Sequence, residues 1–230
     1  LKLTEALRSD ESNENTFGYI FLPDYIEQYG TSHFQESFAA METMTTLISC
    51  EFAIRPFIIA DTDAALKMMK GWCSHPHPSV RRLASEGCRP RLPWAMAIPA
   101  LKKDPLPILP ILEKLKNDSS EFVRKSVANN LNDIAKDNPE VVLGLAREWK
   151  GKTKHTDWII KHGCRTLLKK ANDHALQLFG LDNSLACRVT DLKLLSRKIN
   201  IGDYLHFGFT LINDEPVDIA LRIEYIICYV

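Results

Sequence analysis

The spacing of apolar residues changes once along this chain. From about residue 20 to 180 they recur at helical intervals, and after Gly180 they alternate. Three segments of the helical part resemble one another: HPHPSVRRLASEGCRP (75–90), DSSEFVRKSVANNLND (118–133) and HTDWIIKHGCRTLLKK (155–170). Each has a polar or Pro-containing start, an apolar residue, two basic or polar residues and then a helical pattern. Val80, Val123 and Ile160 mark the equivalent position, 43 and 37 residues apart. A second apolar helix is predicted after each, over 107–116, 139–149 and 173–179. An earlier pair is predicted over 35–55 and 61–73, with Pro56 ending its first helix.

Paired helices at a period near 40 are the signature of HEAT-type repeats, which stack into a curved solenoid with a concave binding face. The predicted fold is therefore mainly α, a HEAT-like solenoid. In the 119–136 helix, Asp118 and Glu121 predict a capping box. Val123, Val127, Leu131 and Ile134 fall within about 80° of arc and predict the buried stripe. Lys125, Asn129, Asn132, Asp133 and Lys136 share the opposite face, predicted polar. Over 79–89, Val80, Leu83, Ala84 and Gly87 make the stripe, with Arg82, Glu86 and Arg89 opposite.

The alternating tail differs. Leu205, Phe207, Phe209 and Leu211 alternate with His206, Gly208 and Thr210, a turn follows at 213–216, and Ile219 to Tyr229 alternate again. With a shorter run near 185–192 this predicts three strands, the opening of an incomplete β-sandwich. The domains expected are 1–182 and 183–230.

Composition narrows the class. Hydrophobic residues make 45% and charged residues 25%, which excludes a disordered chain. No apolar run approaches the roughly 18 residues of a membrane helix. The opening LKLTEALRSDESNEN has no apolar core of a secretory signal, and the missing initial Met is expected of a trimmed chain. Cys50, Cys73, Cys88, Cys164, Cys187 and Cys228 include no CxxC pair, and are expected to be reduced thiols of a cytoplasmic protein. The net charge is zero, yet residues 81–170 hold 19 Lys and Arg against 10 Asp and Glu. A basic middle in a neutral chain points to a local anionic partner or to a solvated face.

Three motifs carry the candidate chemistry: SCEFAIRPF (49–57), VRRLASEGCRPRLPW (80–94) and SVANNLNDIAKD (126–137). With them the chain resembles the AlkC family of DNA alkylation repair glycosylases, HEAT-like relatives of AlkD. The resemblance runs from LPDYIEQYG (22–30) to RTLLKK (165–170). The tail resembles the start of the Ig-like domain that some members carry. One departure is Ala171, where the family pattern leads one to expect Gly; it is expected to matter little. The resemblance implies excision of N3-methylated bases, chiefly 3-methyladenine and also 3-methylcytosine. It implies catalytic carboxylates at Glu51, Glu86 and Asp133 and a pocket tryptophan at Trp94, with Trp158 a second pocket candidate. Arg82, Arg89, Arg91, Arg124, Lys125, Asn129, Lys161 and Arg165 are the expected DNA contacts. The partner implied is double-stranded DNA containing alkylated bases, met by a monomer in the bacterial cytosol or nucleoid, with neither metal nor cofactor.

The chemistry is sound on its own terms. An N3-methylated adenine is cationic, so its glycosidic bond is already weak and the leaving group needs no proton. What remains is to stabilise an oxocarbenium-like sugar and position water, which carboxylates near C1′ do. An indole attracts the cation by about 0.5–2 kcal/mol, and basic neighbours suit a polyanionic substrate.

Plainer readings compete. Glu86 with Arg82 and Arg89 also reads as a surface ion-pair cluster. Asp133 reads as a polar-face residue, Glu51 with Arg55 as an i,i+4 pair, and Trp94 as core. His75-Pro-His77 reads as a loop before a metal site. Arg89 and Arg91 beside Cys88 would lower its thiol pKa, but Cys88 reads first as a small core thiol. The competing functions are a non-catalytic HEAT-repeat DNA-binding module and a protein scaffold.

Overall fold

The computed structural model describes residues 16–181, 186–196 and 198–219, with 221, 223, 225 and 227. The chain divides into two compact units, Leu1–Lys170 and Ala171–Val230.

The first unit is helical. A 3-10 turn at Thr16–Tyr19 leads to α1 (Phe21–Tyr29), α2 (Phe34–Met44), α3 (Arg55–Ala60), α4 (Thr62–Trp72), α5 (Pro78–Glu86) and α6 (Pro99–Lys103). A second 3-10 turn, Leu106–Ile108, enters α7 (Leu109–Leu115). Then come α8 (Glu121–Asp137), α9 (Pro139–Trp149), α10 (Lys154–Gly163) and α11 (Arg165–Lys169). The longest, α8, is the hub, packing on α5, α6, α7, α9, α10 and α11. Its predicted stripe of Val123, Val127, Leu131 and Ile134 is buried, as are Val80, Leu83 and Ala84 of α5.

Three local expectations are corrected. Pro56 does not end a helix. It sits in the first turn of α3, where its missing N–H is one of the unpaired donors anyway. The chain between Met44 and Arg55 is irregular, so Glu51 lies on a turn rather than a helix. The capping box at Asp118 is absent. Ser120 is the N-cap of α8, and Asp118 accepts the Ser120 N–H at 2.8 Å and both Nε and Nη2 of Arg81, at 2.6 and 2.8 Å. An arginine 37 residues away outbids the local partner. The polar face of α8 is solvated only in part: Lys125 and Lys136 are exposed. Asn132 and Asp133 are buried, because α5, α10 and α11 close over them.

Two glycines permit this closeness. A Cβ on Gly87 would lie 2.6 Å from Ile54 Cγ2, so glycine lets the 51–55 segment lie against the end of α5. A Cβ on Gly163 would lie 2.9 Å from Leu131 Cβ, where α10 meets α8.

The second unit holds a short helix, α12 (Asp173–Leu178), capped by Asn172, and an antiparallel pair of β1 (Cys187–Leu194) and β2 (Phe207–Asn213). Their register runs from Cys187 opposite Asn213 to Leu194 opposite Phe207, broken between Thr190 and Lys193. Among the described residues the sheet has these two strands and no sandwich. The third expected strand, 219–229, falls largely outside the described residues. Ala171 has a φ of 51°, in the left-handed region, so a β-carbon there costs roughly 1 kcal/mol that glycine would not.

Candidate active site

Arg82, Glu86 and Arg89 are spaced by four and three residues and so share one face of α5 and the turn after it. That face meets Glu51 on one side and α8 on the other. The result is a ladder of alternating charge. Ser49 Oγ donates to Glu51 Oε2 at 2.6 Å, and Arg82 Nη1 donates to the same oxygen at 2.5 Å. Arg82 Nη2 lies 3.5 Å from Glu86 Oε1. Arg89 Nη1 donates to Glu86 Oε1 at 2.7 Å, and its Nε to Asp133 Oδ2 at 2.8 Å. Lys136 Nζ closes the row on Asp133 Oδ1 at 3.1 Å. The three candidate acids, from three separate motifs, are thus joined through two guanidinium groups.

The ladder is graded in depth. The Glu51 side chain is 19% exposed and that of Asp133 only 1%. The surface-cluster reading of Glu86 does not survive, since Glu86 is buried, and Asp133, on the polar face of α8, is buried too. Burial opposes the charge of Arg89, yet the hydrogen bond it donates to Asp133 and the charge of Glu86 hold its pKa above the ordinary arginine value. Arginines spaced between the carboxylates set an opposite charge against each, which offsets part of the cost of burying them.

Arg55 does not pair with Glu51. Its fully buried guanidinium turns inward, donating from Nε to Met96 O at 2.6 Å and from Nη1 to Gly87 O at 3.1 Å and Arg89 O at 3.0 Å. Burial pulls its pKa down to about 10.

The two tryptophans stand in different clefts. Trp94 is not core: it is 99% exposed, with a φ of 64°. A bulky residue in that region is strained by roughly 1–2 kcal/mol, and such strain persists only where the surroundings impose it. Trp94 lines a cleft of about 100 Å³ with Glu27, Phe52, Arg55, Ala95 and Met96. Trp158 stacks on His162, ring centres 5.2 Å apart, and lines a cleft of about 270 Å³ with Glu121, Arg124, Lys154 and His155.

The expected DNA contacts divide by what they touch. Lys125 and Lys161 are exposed. Arg82 serves Glu51 and Glu86 and lies 4.5 Å over the Phe122 ring. Arg89 is buried and donates to two acids, Asp133 and Glu86. Arg91 is bidentate on Asp137 at 2.6 Å, and Arg124 Nη1 binds the carbonyls of Asp118 and Ser119. Asn129 Oδ1 receives Arg165 Nη2 at 3.3 Å and lies 3.0 Å from His162 Nε2. Ser49, Arg55, Lys136 and His162 are participants that sequence reasoning missed. A basic residue one turn beyond Asp133 was a usable signal for Lys136, and Arg55 was read only as a partner of Glu51; nothing local marked Ser49 or His162.

The remaining candidates resolve simply. His75 Nδ1 accepts the His77 N–H, and His77 Nδ1 caps α5 through the Ser79 N–H. Among the described residues no three His, Cys, Asp or Glu side chains gather into a metal-binding group, and no helix is long and apolar enough to cross a membrane. Cys88 is buried, as the core-thiol reading expects, and burial pushes its thiol up to about 12. Cys50, Cys73 and Cys164 are buried too, Cys187 is partly exposed, and Cys228 lies outside the described residues.

Residues 4–167 match the family model described as DNA alkylation repair enzyme. Uncharacterized protein YhaZ of Bacillus subtilis (strain 168) is 51% identical over 211 residues, covering 92% of this chain and 58% of that protein. The Pseudomonas fluorescens alkylpurine DNA glycosylase AlkC, bound to DNA containing an abasic site analog, is 43% identical with a TM-score of 0.82. That match covers 88% of this chain and 56% of the other, so the chain spans under three-fifths of each relative.

Proposed function

The chain belongs to the DNA alkylation repair enzyme family, and from that premise we propose that it is a monofunctional, metal-independent glycosylase. It hydrolyses the N-glycosidic bond of N3-methylated bases, 3-methyladenine and also 3-methylcytosine, in double-stranded DNA. It acts as a monomer in the bacterial cytosol or nucleoid. The observation that carries the reading is the ladder, which gathers Glu51, Glu86 and Asp133 from three motifs and pairs them with Arg82 and Arg89.

In the proposed reaction the bond from C1′ to the base nitrogen breaks with its electron pair going to the base. The base was cationic and leaves neutral. Positive charge then develops on the sugar, where carboxylates already held in place stabilise it without reorganising. Water adds to C1′ and gives one proton to a carboxylate acting as general base. Trp94, held outward, offers its ring face to the cationic base. Lys125 and Lys161 supply exposed charge for phosphates.

The test is base release from methylated duplex DNA, with 3-methyladenine and 7-methylguanine quantified separately. Wild-type protein is expected to release 3-methyladenine. Glu51→Gln and Glu86→Gln are expected to lose about 10²-fold or more, the scale of one preorganised electrostatic group, while DNA affinity stays equal or rises. Unchanged excision in both variants refutes the assignment. DNA binding without base release by the wild type supports a non-catalytic DNA-binding module instead.

A further inference from the structure

Arg55 stands where the three motifs meet, and it is not one of their acids. It follows Glu51 by four residues in the first motif. Its Nη1 holds the carbonyls of Gly87 and Arg89 in the second, 32 and 34 residues on, and its Nε holds Met96 O, 41 residues on. Gly87 follows Glu86 directly. Arg89 reaches the third motif by its bond to Asp133. Met96 is two residues past Trp94. One planar group therefore pins both ends of the loop that carries Trp94, and pins the backbone of the arginine that joins Glu86 to Asp133.

The loop needs such pinning. Trp94 combines a left-handed backbone with a fully exposed indole, and neither is favourable in isolation. Its other internal bonds are long: Ala95 N–H to Leu92 O at 3.3 Å and Ile98 N–H to Pro90 O at 3.2 Å. The Arg55 bond to Met96 O is far shorter, at 2.6 Å. Arg55 also pays a visible cost for its place. It is buried without a carboxylate in hydrogen-bond contact, its Nη2 has no partner, and it forms part of the wall of the Trp94 cleft. A guanidinium kept there for packing alone would be poorly chosen, because a neutral side chain would avoid the unpaired nitrogen.

We infer that Arg55 is a positioning residue that holds Trp94 outward at the cleft and Arg89 in register between Glu86 and Asp133. The inference rests on the glycosylase reading above. Lysine keeps the charge but not the planar fork, so one ammonium nitrogen stands in place of the separate Nε and Nη1 that hold Met96 O and the Gly87 and Arg89 carbonyls.

The test compares Arg55→Lys and Arg55→Ala with wild type. Fold is checked by circular dichroism, single-turnover release of 3-methyladenine and DNA affinity are measured, and Trp94 mobility is read by fluorescence anisotropy decay. The fluorescence arm alone uses a Trp158→Phe background, in which Trp72 and Trp149 are buried and Trp94 is exposed. Arg55→Lys is expected to fold, keep its DNA affinity, lose excision by about 10–10²-fold as misplaced groups do, and show a fast local component in Trp94 emission. Ethylguanidine added to Arg55→Ala is expected to restore excision and slow Trp94 together. Folded Arg55→Lys with wild-type excision overturns the inference, as does lost excision with Trp94 unchanged. Failure of both variants to fold also overturns it, for Arg55 would then be a core staple. If the wild type releases no base, the glycosylase reading fails, while the Trp94 measurement still decides whether Arg55 holds the loop.

Discussion

Replacing Asp133 with Asn should destabilise the helical unit before it says anything about catalysis. The side chain is 1% exposed and receives Arg89 at 2.8 Å and Lys136 at 3.1 Å. At an effective dielectric of about 20, each attraction is on the order of 5–6 kcal/mol. Desolvation of each buried ion takes back several kcal/mol. Removing one partner from a buried pair typically costs about 3–5 kcal/mol, because the other charge is stranded. Asn keeps a hydrogen bond to Arg89 and Glu86 still neutralises it, so about 3 kcal/mol is expected. With a urea m-value of about 2 kcal/mol/M, the unfolding midpoint should fall by about 1.5 M. Circular dichroism through a urea titration at pH 7 measures it. Arg89→Met should cost a similar amount, and the double variant should cost at least 1 kcal/mol less than the sum, roughly the coupling of touching residues. A midpoint for Asp133→Asn within about 0.3 M of wild type, or strict additivity, would refute the coupling. Glu51, at the open end of the ladder, is thus the cleaner site for a catalytic test.

Three further outcomes are expected. Lys125→Ala and Lys161→Ala should each lower the slope of log affinity against log salt by about 1, whereas Arg124→Ala should lower stability, since its guanidinium holds the Asp118–Ser119 carbonyls; equal salt effects from all three would contradict this. Burial alone would raise the Asp118 pKa, but Arg81 and the Ser120 N–H hold it below the ordinary value. The stability it contributes is therefore complete above the unfolded pKa of about 3.9 and is lost as pH falls through the lowered folded value. Asp118→Asn should cost more at pH 6 than at pH 3 by urea titration, and a cost independent of pH would count against the pairing. Ala171→Gly should raise stability by about 0.5 kcal/mol, relief of the left-handed strain less the entropy of glycine, and a fall in the urea midpoint would show the strain to be absent.

Much of the helical unit was legible because helix burial is a local property. The stripes beginning at Val80 and Val123 can be drawn from spacing alone, and α9 occupies the predicted 139–149. The candidate acids were legible through the three motifs, though not their environment. Spacing placed Asp133 and Arg89 on polar faces, since polar side chains on one face of an amphipathic helix ordinarily meet water. Here those faces meet one another.

What only the tertiary structure decided is who pairs with whom. Arg82 finds Glu51 across 31 residues, Arg89 finds Asp133 across 44, and Arg81 takes Asp118 across 37 from the cap that its neighbours predicted. Pro56 begins a helix, and Arg55 turns inward because the carbonyls of Gly87, Arg89 and Met96 lie within its reach. Apolar periodicity is written along the chain, because every turn of a helix repeats the same choice between core and solvent. A charge buried in the core has no such repeat, and its partner is whichever opposite group the packing of other helices delivers within about 3 Å.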